Sequence, residues 1–381
     1  MKKPILSIVV PTKDRYYYLE KLIELIDGFH FQDVEMVIQD NTEDNSEIVK
    51  YLDEHPHDFI VYDHHAEQMP IYQNSDLAVL HSSGEYVCFI GDDDGVTKYI
   101  LECTKWMKMN NVKIVMPAKI TYSWPDSSGN YKKGLNFAGI VKHKHFSGRI
   151  EKKSSEEALS ERIKHGFVSR GGLPLLYHGI VKRSTLDRIY TKCGSFFPGP
   201  SPDIANGVAL ALVTESFYSV DYPIAFSGAS KHHGGGIKKM KNRANDIDCV
   251  PFLPPNAKRD WEKKIPLIWT GETVWCESAV KALRKMGRDD LVSKVNFEYL
   301  YARFSSFHYP LRGMAYKLSN NKFELFINSN IGVIRRYCNA IYRMVRLRVN
   351  ANSEIIIHSG CNDIIEAVAY LESYPCSFND I

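Results

Sequence analysis

The segment "SSGEYVCFIGDDDGV", residues 82–96, places a strand-like run directly in front of three adjacent aspartates, Asp92, Asp93 and Asp94. The run Tyr86–Ile90 combines aromatic and β-branched residues, which is typical of a buried strand. Three neighbouring carboxylates repel one another and lose hydration when they are partly buried. The segment is therefore either a solvated Asp-Gly turn, which is common in proteins, or a site where a cation balances the charge.

Around this segment, short apolar runs alternate with helical patterns from residue 1 to about residue 120. The predicted strands are Ile5–Val10, Val34–Gln39, Asp58–Tyr62, Tyr86–Ile90 and Val112–Pro117. The predicted helices between them are Leu19–Ile26, Ile48–Leu52, 70–81 and Lys98–Met109. Strands and helices that alternate at this spacing predict βαβ units, a mainly parallel sheet and an α/β fold.

The turns that follow three of these strands are polar. They are Pro11–Arg15 after the first strand, Asp40–Asn41 after the second and Asp92–Asp94 after the fourth. Ligands of an open parallel sheet bind beyond the carboxyl ends of its strands, so we expect these three turns to meet at one edge. The topology thus predicts a ligand site there.

The composition is that of an ordinary soluble globular protein, with 381 residues, 44% hydrophobic and 24% charged. A net charge of +3 is too small to indicate nucleic acid binding. The eight cysteines contain no C-x-x-C pair, which favours a reducing cytoplasm. No stretch approaches the roughly 18 consecutive apolar residues of a membrane-spanning helix. We expect a chain that does not itself cross the membrane.

Asp92 and Asp94 lie two residues apart at a strand end, so both can face one ligand. Carboxylate oxygens are hard donors, which select Mg²⁺ or Mn²⁺, and these ions commonly share phosphate oxygens with a substrate. The residues alone leave a metal site and a solvated turn both open.

Four motifs occur in order between residues 4 and 235: "SIVVPTKDR", "VIQDN", "QNSDLAVLHSSGEYVCFIGDDDG" and "SPDIANGVALAL". Together they resemble family 2 of the glycosyltransferases. The resemblance implies the GT-A fold, with a Rossmann-like, mainly parallel central sheet flanked by helices. It also implies a metal-dependent, inverting transfer of a sugar from a nucleotide-diphosphate sugar, a UDP-sugar, to a glycan or lipid-linked acceptor in cell-surface polysaccharide synthesis.

The resemblance also implies roles for the matched residues around the donor. Pro11 and Thr12 would lie along the nucleobase and ribose, and Asp40 would accept a hydrogen bond from the base. Asp92 would approach the ribose and diphosphate, and the metal would be bound by Asp94 and Asp92. The remaining residues that we expect around the donor are Asp14, Arg15, Asn41, Asn74 and Asp93.

The residues themselves leave alternatives for several of these positions. Asp40 is also a suitable helix N-cap. Arg15 would either support the diphosphate or pair with Asp14. Asn74 suits a structural hydrogen bond equally well, and Asp93 would either serve the acceptor side or cap the turn.

Asp203 follows a proline-rich lead, residues 198–202, and falls in the first turn of an apolar helix. An acidic residue there is also favoured by the helix dipole. The resemblance implies that Asp203 is the catalytic base, which takes the proton of the attacking hydroxyl. His232 and His233 precede three glycines, and one of them would complete the Mn²⁺ or Mg²⁺ site. A solvated loop is the alternative for this stretch.

These patterns predict a catalytic domain over residues 1–250, with a nucleotide-binding half at about 1–120 and an acceptor half at about 121–250. Residues 256–381 are predicted to form a mostly helical C-terminal region that contacts a membrane or a partner. Within it, residues 331–349 contain five arginines and no acid. On a helical wheel, one face is apolar and carries Ile334, Tyr337, Cys338, Ile341 and Val345.

This helix would either pack its apolar side on the catalytic domain or lie in the interface of a membrane with anionic lipid. The second alternative places the protein in the cytoplasm, at the inner face of the cell membrane. Two other functions remain as hypotheses. One is a non-catalytic subunit of a glycan assembly complex, which binds nucleotide or a partner. The other is a nucleotidyltransferase, although residues 11–15 lack the glycine-rich, lysine-containing loop that such an enzyme needs.

Overall fold

The computed structural model describes residues 3–127, 139–231, 244–349, 355–375 and 378, and for residues 343–349 it describes the backbone alone.

The elements are given in chain order. The strands are β1 (Leu6–Thr12), β2 (Val34–Asp40), β3 (Ile60–His64), β4 (Tyr86–Phe89), β5 (Gly95–Val96), β6 (Ile114–Pro117), β7 (Thr121–Ser123), β8 (Ile140–Lys144), β9 (Ile150–Ser154), β10 (Ile180–Lys182), β11 (Ser216–Val220), β12 (Ala225–Ala229) and β13 (Ile355–Ser359). The α-helices are α1 (Tyr16–Asp27), α2 (Ser46–Glu54), α3 (Ile71–Leu80), α4 (Tyr99–Met109), α5 (Ser155–Lys164), α6 (Arg183–Cys193), α7 (Pro202–Val213), α8 (Gly271–Lys285), α9 (Asp289–Val292), α10 (Phe297–Phe307), α11 (Arg312–Leu318), α12 (Lys322–Val349) and α13 (Ile364–Leu371). Short 3₁₀ turns lie at Ile247–Cys249 and Tyr309–Leu311.

The central sheet has eight strands in the order β3-β2-β1-β4-β10-β6-β11-β9. Strands β1, β2, β3, β4, β6 and β11 run parallel, while β10 and β9 are antiparallel to their neighbours. The predicted α/β class and mainly parallel sheet are therefore confirmed. A smaller sheet, in the order β13-β8-β7-β12-β5, lies beyond the carboxylate turn.

Successive residues of the central strands face opposite sides of the sheet, because side chains alternate along a strand. In β1, Ile8 belongs to the core that includes α1, α4 and α13, and Val9 to the core that includes α3, α6 and α7. Both side chains are fully buried. Helices therefore cover both faces of the sheet, which leaves the ends of the strands as the place for a site.

A further hydrophobic core joins the acceptor half to the C-terminal helices. Ile163 of α5 and Ile204 of α7 share it with Val280 of α8 and Phe304 of α10. The sequence boundary predicted between residues 250 and 256 therefore does not separate two cores.

The end of the described chain returns to the first part of the protein. Strand β13 pairs with β8 in antiparallel register, and α13 packs against α1. Leu371 is fully buried in the core that also contains Leu19 and Ile100. The predicted C-terminal region of residues 256–381 thus packs in two different places.

The structure of helix α12 differs from one of the two alternatives for residues 331–349, in which the apolar side packs on the catalytic domain. Ile334, Tyr337 and Ile341, on the apolar face, are 61%, 62% and 56% exposed. This face does not pack on the catalytic domain, because α12 contacts α10 through its opposite side, where Leu325 and Ser329 are buried. No helix in the part of the chain that the structure describes is both long and apolar enough to cross a membrane.

Candidate functional site

The carboxyl ends of β1, β2 and β4 meet, as the topology predicts. Thr12 is in register with Asp40 on the neighbouring strand. The hydroxyl of Thr12 donates to Oδ2 of Asp92 at 2.6 Å. Polar residues from two distant turns are thereby brought into direct contact.

Arg15 forms a two-pronged ion pair with Asp92. Its Nε donates to Oδ2 at 3.1 Å and its Nη2 donates to Oδ1, while Nη1 lies 3.3 Å from Oδ2 of Asp93. Burial raises the pKa of Asp92 to about 7, although Arg15 and Thr12 act in the opposite direction. Burial also disfavours the charge of Arg15, but the two aspartates outweigh it and raise the pKa of the guanidinium. Arg15 thus pairs with the carboxylate turn rather than with Asp14.

Asp93 connects the turn to the end of β12. The hydroxyl of Ser230 donates to Oδ2 of Asp93 at 2.6 Å, and the backbone N–H of Ser230 does so at 3.3 Å. The indole N–H of Trp124 donates to the backbone carbonyl of Asp93 at 2.8 Å. The chain passes so close that a Cβ at Gly228 would lie 1.6 Å from the same carbonyl oxygen. A residue with a side chain does not fit at position 228.

Asp94, expected on a metal, accepts hydrogen bonds from three protein donors and lies close to His178. Its Oδ2 accepts from the N–H of Gly91 at 2.6 Å and the hydroxyl of Tyr177 at 2.7 Å, and it lies 2.9 Å from Nε2 of His178. Its Oδ1 accepts from the N–H of Gly228 at 2.7 Å. Burial favours the neutral acid, but His178, Tyr177 and Gly91 outweigh it and lower the pKa of Asp94 to about 2. Asp94 therefore holds the turn together.

Asp40 and Asn41 lie at the end of β2 and are almost completely buried. Tyr16 and Tyr62 donate their hydroxyls to Oδ2 of Asp40 at 2.7 and 2.9 Å, and the N–H of Thr42 donates to Oδ1. The side-chain amide of Asn41 donates to the backbone carbonyls of residues 65 and 67 at 2.7 Å each. Both side chains hold the β2 end of the site in place.

The other residues expected around the donor differ in their exposure. Pro11 lies within β1 and is half-buried. Asp14 is exposed, has a positive φ of 58°, and is fixed by a hydrogen bond from its N–H to the hydroxyl of Thr42. Asn74, on α3, is 7% exposed, and its Oδ1 has no hydrogen-bond partner among the residues that the structure describes. A buried amide oxygen without a partner can accept a hydrogen bond from a ligand.

Asp203 lies in the first turn of α7, after Pro202 at the helix start. Its side chain is 25% exposed and forms an ion pair with Arg170, which is 42% exposed. Two contacts anchor the loop that leads to it. The N–H of Phe196 donates to Asp76 of α3 at 2.7 Å, and the N–H of Ser201 donates to Ser278 of α8 at 2.8 Å. The loop is thus fixed from both sides.

Residues 174–178 connect Asp203 with the carboxylate turn. Asn206, one turn beyond Asp203 on α7, accepts a hydrogen bond from the N–H of Leu176 at 3.0 Å. The next residue, Tyr177, donates to Asp94. A short, buried segment therefore fixes the start of α7 relative to the turn at residues 92–94.

Within the described ranges, no group of three or more His, Cys, Asp or Glu side chains is arranged to hold a metal ion. The predictions for His232 and His233 lie outside these ranges. The preceding residue, Lys231, follows Ser230, whose hydroxyl binds Asp93. The described chain therefore stays beside the carboxylate turn as far as Ser230.

Sequence reasoning missed Arg170, Tyr177, His178 and Ser230 as residues of this site. No local motif marks them, since each acts on an aspartate that is distant in sequence. His178 also has an unusual backbone conformation, with a positive φ of 62°. The pattern of the sequence does not reveal that φ value.

Three comparisons with known proteins agree with this architecture. Residues 7–170 match the family described as Glycosyl transferase family 2. The GalNAc(5)-diNAcBac-PP-undecaprenol beta-1,3-glucosyltransferase of Campylobacter jejuni is 35% identical over 95 residues, which are 24% of this chain and 30% of that protein. This chain therefore matches less than a third of that relative's length.

Among solved structures, S. aureus TarS 1-349 in complex with UDP-GlcNAc has a TM-score of 0.50 and 11% sequence identity, over 88% of this chain and 92% of that chain. At this identity the likeness shows the fold, and the predicted GT-A fold is confirmed. The matched residues 7–170 contain β1, β2, β4 and the carboxylate turn. The part of the chain that forms the carboxylate turn is therefore similar to glycosyl transferase family 2.

Proposed function

We propose that the protein is an inverting glycosyltransferase that transfers a sugar from a nucleotide-diphosphate sugar to a glycan or lipid-linked acceptor. The observation that carries the proposal is the buried turn of Asp92, Asp93 and Asp94, held by Arg15 at the carboxyl end of the parallel sheet. Such an edge is where α/β sheets bind nucleotides. The family of residues 7–170 supports the same reaction class.

The reaction would be a single displacement at the anomeric carbon. The acceptor hydroxyl attacks, its proton passes to the carboxylate of Asp203, and the bond between the anomeric carbon and the diphosphate oxygen breaks. Asp203 suits this role because it is partly exposed and its loop is held by Asp76 and Ser278. Arg170 pairs with Asp203 and would keep the carboxylate oriented.

On the donor side, we propose that Thr12, Arg15 and Asp92 act as one unit. Arg15 pairs with Asp92 through Nε and Nη2, and its Nη1 would donate to an oxygen of the diphosphate. Pro11 and Asp14 lie in the same turn, and the unpartnered oxygen of Asn74 suits a donor contact. Asp40 would reach the nucleobase from the β2 end, where Tyr16, Tyr62 and Asn41 keep that end rigid.

A divalent cation, Mn²⁺ or Mg²⁺, would stabilise the charge of the departing diphosphate. Carboxylate oxygens suit either ion. We propose that the carboxylate turn supplies the ligands, although each of its members is also held by a protein donor: Asp92 by Arg15, Asp93 by Ser230 and Asp94 by Gly228. His232 or His233 would complete the set. The resemblance implies Asp94 and Asp92 as the ligands from the turn.

The donor and acceptor classes are proposed from the relatives. The TarS structure contains UDP-GlcNAc, which supports a UDP-sugar. The Campylobacter jejuni relative has an undecaprenol-linked acceptor in its name, which supports a lipid-linked glycan precursor and a role in cell-surface polysaccharide synthesis. With such an acceptor, the enzyme would act at the cytoplasmic face of the membrane.

The test is a screen of nucleotide sugars for release of the nucleoside diphosphate, with and without Mn²⁺, on the full chain. We expect Asp203→Asn to keep the affinity for UDP, measured by calorimetry, and to lower turnover by about 10²–10⁴-fold. Asp94→Asn should lose the part of the UDP affinity that depends on Mn²⁺. If no sugar nucleotide binds, the proposal is wrong, and if Asp203→Asn retains full turnover, Asp203 is not the base.

A further inference from the structure

Helix α12 packs on the rest of the protein through one narrow side. Leu325 and Ser329 are 2% and 7% exposed, and a Cβ at Gly332 would lie 3.0 Å from Ser306 at the end of α10. The guanidinium of Arg336 lies 5.2 Å from the ring centre of Phe307. Residues spaced three and four apart share a helix face, so this contacting side is continuous.

The opposite side of α12 is apolar and faces away from the protein. Along it run Phe323, Ile327, Ile334, Tyr337 and Ile341, at successive spacings of four, seven, three and four residues. Phe323 is 74% exposed and the other four between 40% and 62%. A contiguous apolar stripe of this kind, exposed over several turns, is unusual for a surface that meets only water.

Beyond its first turn, helix α12 carries charge of one sign only. Residues 325–353 contain no Asp or Glu, and the arginines are Arg335, Arg336, Arg343, Arg346 and Arg348. Each residue of an α-helix is rotated by about 100° around the helix axis relative to the one before it. On this helical wheel, four of the five arginines lie more than about 100° from the centre of the apolar stripe. Residues 332–349 span about 27 Å at 1.5 Å per residue, so the charge is spread along a rod.

We propose that the apolar stripe of α12 inserts into the headgroup region of a membrane with anionic lipids, and that Arg335, Arg343 and Arg346, which lie outside the stripe, bind the lipid phosphates. A helix with an apolar side and a cationic side binds such surfaces through both contributions. This surface binding is independent of sugar transfer, and it would hold the domain at the membrane where a lipid-linked acceptor lies.

The charge argues against a second copy of this chain as the occupant. If two α12 helices paired along their stripes, the arginines on the other sides of both helices would gain no opposite charge, because residues 325–353 contain no Asp or Glu. Anionic lipid supplies that balance. The charge complementarity therefore selects a lipid surface.

The experiment is co-sedimentation of the full chain with vesicles, without donor or acceptor. The vesicles contain phosphatidylcholine alone or phosphatidylcholine with 30% phosphatidylglycerol. We expect at least tenfold stronger binding to the anionic vesicles, weakened by 0.5 M salt because salt screens surface charge. The double variant Ile334→Ser/Ile341→Ser should lose at least tenfold, and Arg343→Gln/Arg346→Gln should lose binding to the anionic vesicles selectively.

The matched control is Met109→Ser, which removes a 74% exposed apolar side chain from α4 and should leave binding unchanged. Thermal unfolding should be unaltered in all three variants, since the two isoleucines are already exposed. Two results would overturn the proposal. One is equal binding of the wild type and the Ile334→Ser/Ile341→Ser variant. The other is a wild-type dimer by light scattering that this variant converts to a monomer. Either result can occur whether or not a sugar nucleotide binds. The proposal of membrane binding by α12 and the proposal of sugar transfer can therefore be rejected independently.

Discussion

The carboxylate of Asp203 is paired with Arg170. Arg170 belongs to a loop with Gly171 and Gly172, where an added Cβ would meet no heavy atom within 4 Å. The loop therefore has room to move when an acceptor arrives. An ion pair between partly exposed groups contributes little to stability, so its effect should appear in the reaction rather than in folding.

We therefore expect Arg170→Ala to lower kcat by about tenfold, with unchanged affinity for UDP and an unchanged midpoint of thermal unfolding. Arg170→Lys keeps a positive charge and should restore most of kcat. Steady-state kinetics, calorimetry with UDP and a thermal melt of each variant provide the check. If Arg170→Ala and Arg170→Lys are equally impaired, the charge of Arg170 does not orient the base.

At the scale of single residues, the sequence identifies the three aspartates of the turn, but neither their separate contacts nor the distant residues that bind them. Asp92, Asp93 and Asp94 were predicted as a cluster because they are adjacent and follow a strand. Their separate roles depend on Tyr177, Gly228 and Ser230, which reach the turn only through tertiary structure. That is why Asp94, the predicted metal ligand, accepts hydrogen bonds from Tyr177 and Gly228.

Among the elements, α3 has a function that its amphipathic pattern does not reveal. Asp76 on this helix accepts a hydrogen bond from Phe196, in the loop that leads to Asp203. Burial raises the pKa of Asp76 to about 6, although hydrogen bonds from Ser195, Phe196 and Phe197 act in the opposite direction. The charged form is thus disfavoured in the folded state.

The sign of the pH dependence follows from that shift. A raised pKa in the folded state means that the charged form of Asp76 destabilises the protein above about pH 6, and that the penalty disappears as the pH falls. Asp76→Asn keeps an acceptor for Phe196 and carries no charge. We expect this variant to be more stable than the wild type at pH 8, by up to about 3 kcal/mol, and nearly equal at pH 4. Urea unfolding of both proteins between pH 4 and 8 measures this difference in the free energy of unfolding. A difference that stays constant with pH would contradict the prediction.

Gly228 on strand β12 lies against the carboxylate turn, so a substitution there tests whether the turn needs this close contact. Because a Cβ at Gly228 would lie 1.6 Å from the carbonyl oxygen of Asp93, Gly228→Ala should displace the strand and the turn together. We expect UDP affinity to fall by more than tenfold and the melting temperature to drop. Gly313→Ala on α11 is the control, since its Cβ would meet nothing within 4 Å and alanine favours a helix. Normal UDP binding by Gly228→Ala would show that the turn tolerates movement.

The predicted elements between residues 1 and 120 agree with the structure because their signals are local. Helix α3 spans Ile71–Leu80 where 70–81 was predicted, and β3 is displaced by two residues at each end. Strands β10 and β13 run antiparallel to partners far away in sequence. Their pairing depends on tertiary contacts, which the spacing of apolar residues along the sequence does not predict.

At the scale of the whole molecule, α13, the last helix of the described residues, is part of the hydrophobic core that also contains α1. Leu371 of α13 is fully buried, while Ile365 of the same helix is 37% exposed. We expect Leu371→Ala to lower the free energy of unfolding by about 2–5 kcal/mol, because it leaves a cavity in a packed core. Ile365→Ala, the matched control, should change it by less than about 0.5 kcal/mol. Urea unfolding measures both, and equal small effects would mean that α13 is not needed by the core.

The contact between α1 and α13 also sets an order of events during synthesis. Helix α1 is made early, but α13, which covers it, leaves the ribosome more than 300 residues later. At about 5–20 residues per second, this interval lasts roughly 15–60 s. During it, the part of the α1 surface that α13 covers has no partner from its own chain. The nascent protein is therefore a natural client for a chaperone that binds apolar helices at the ribosome exit.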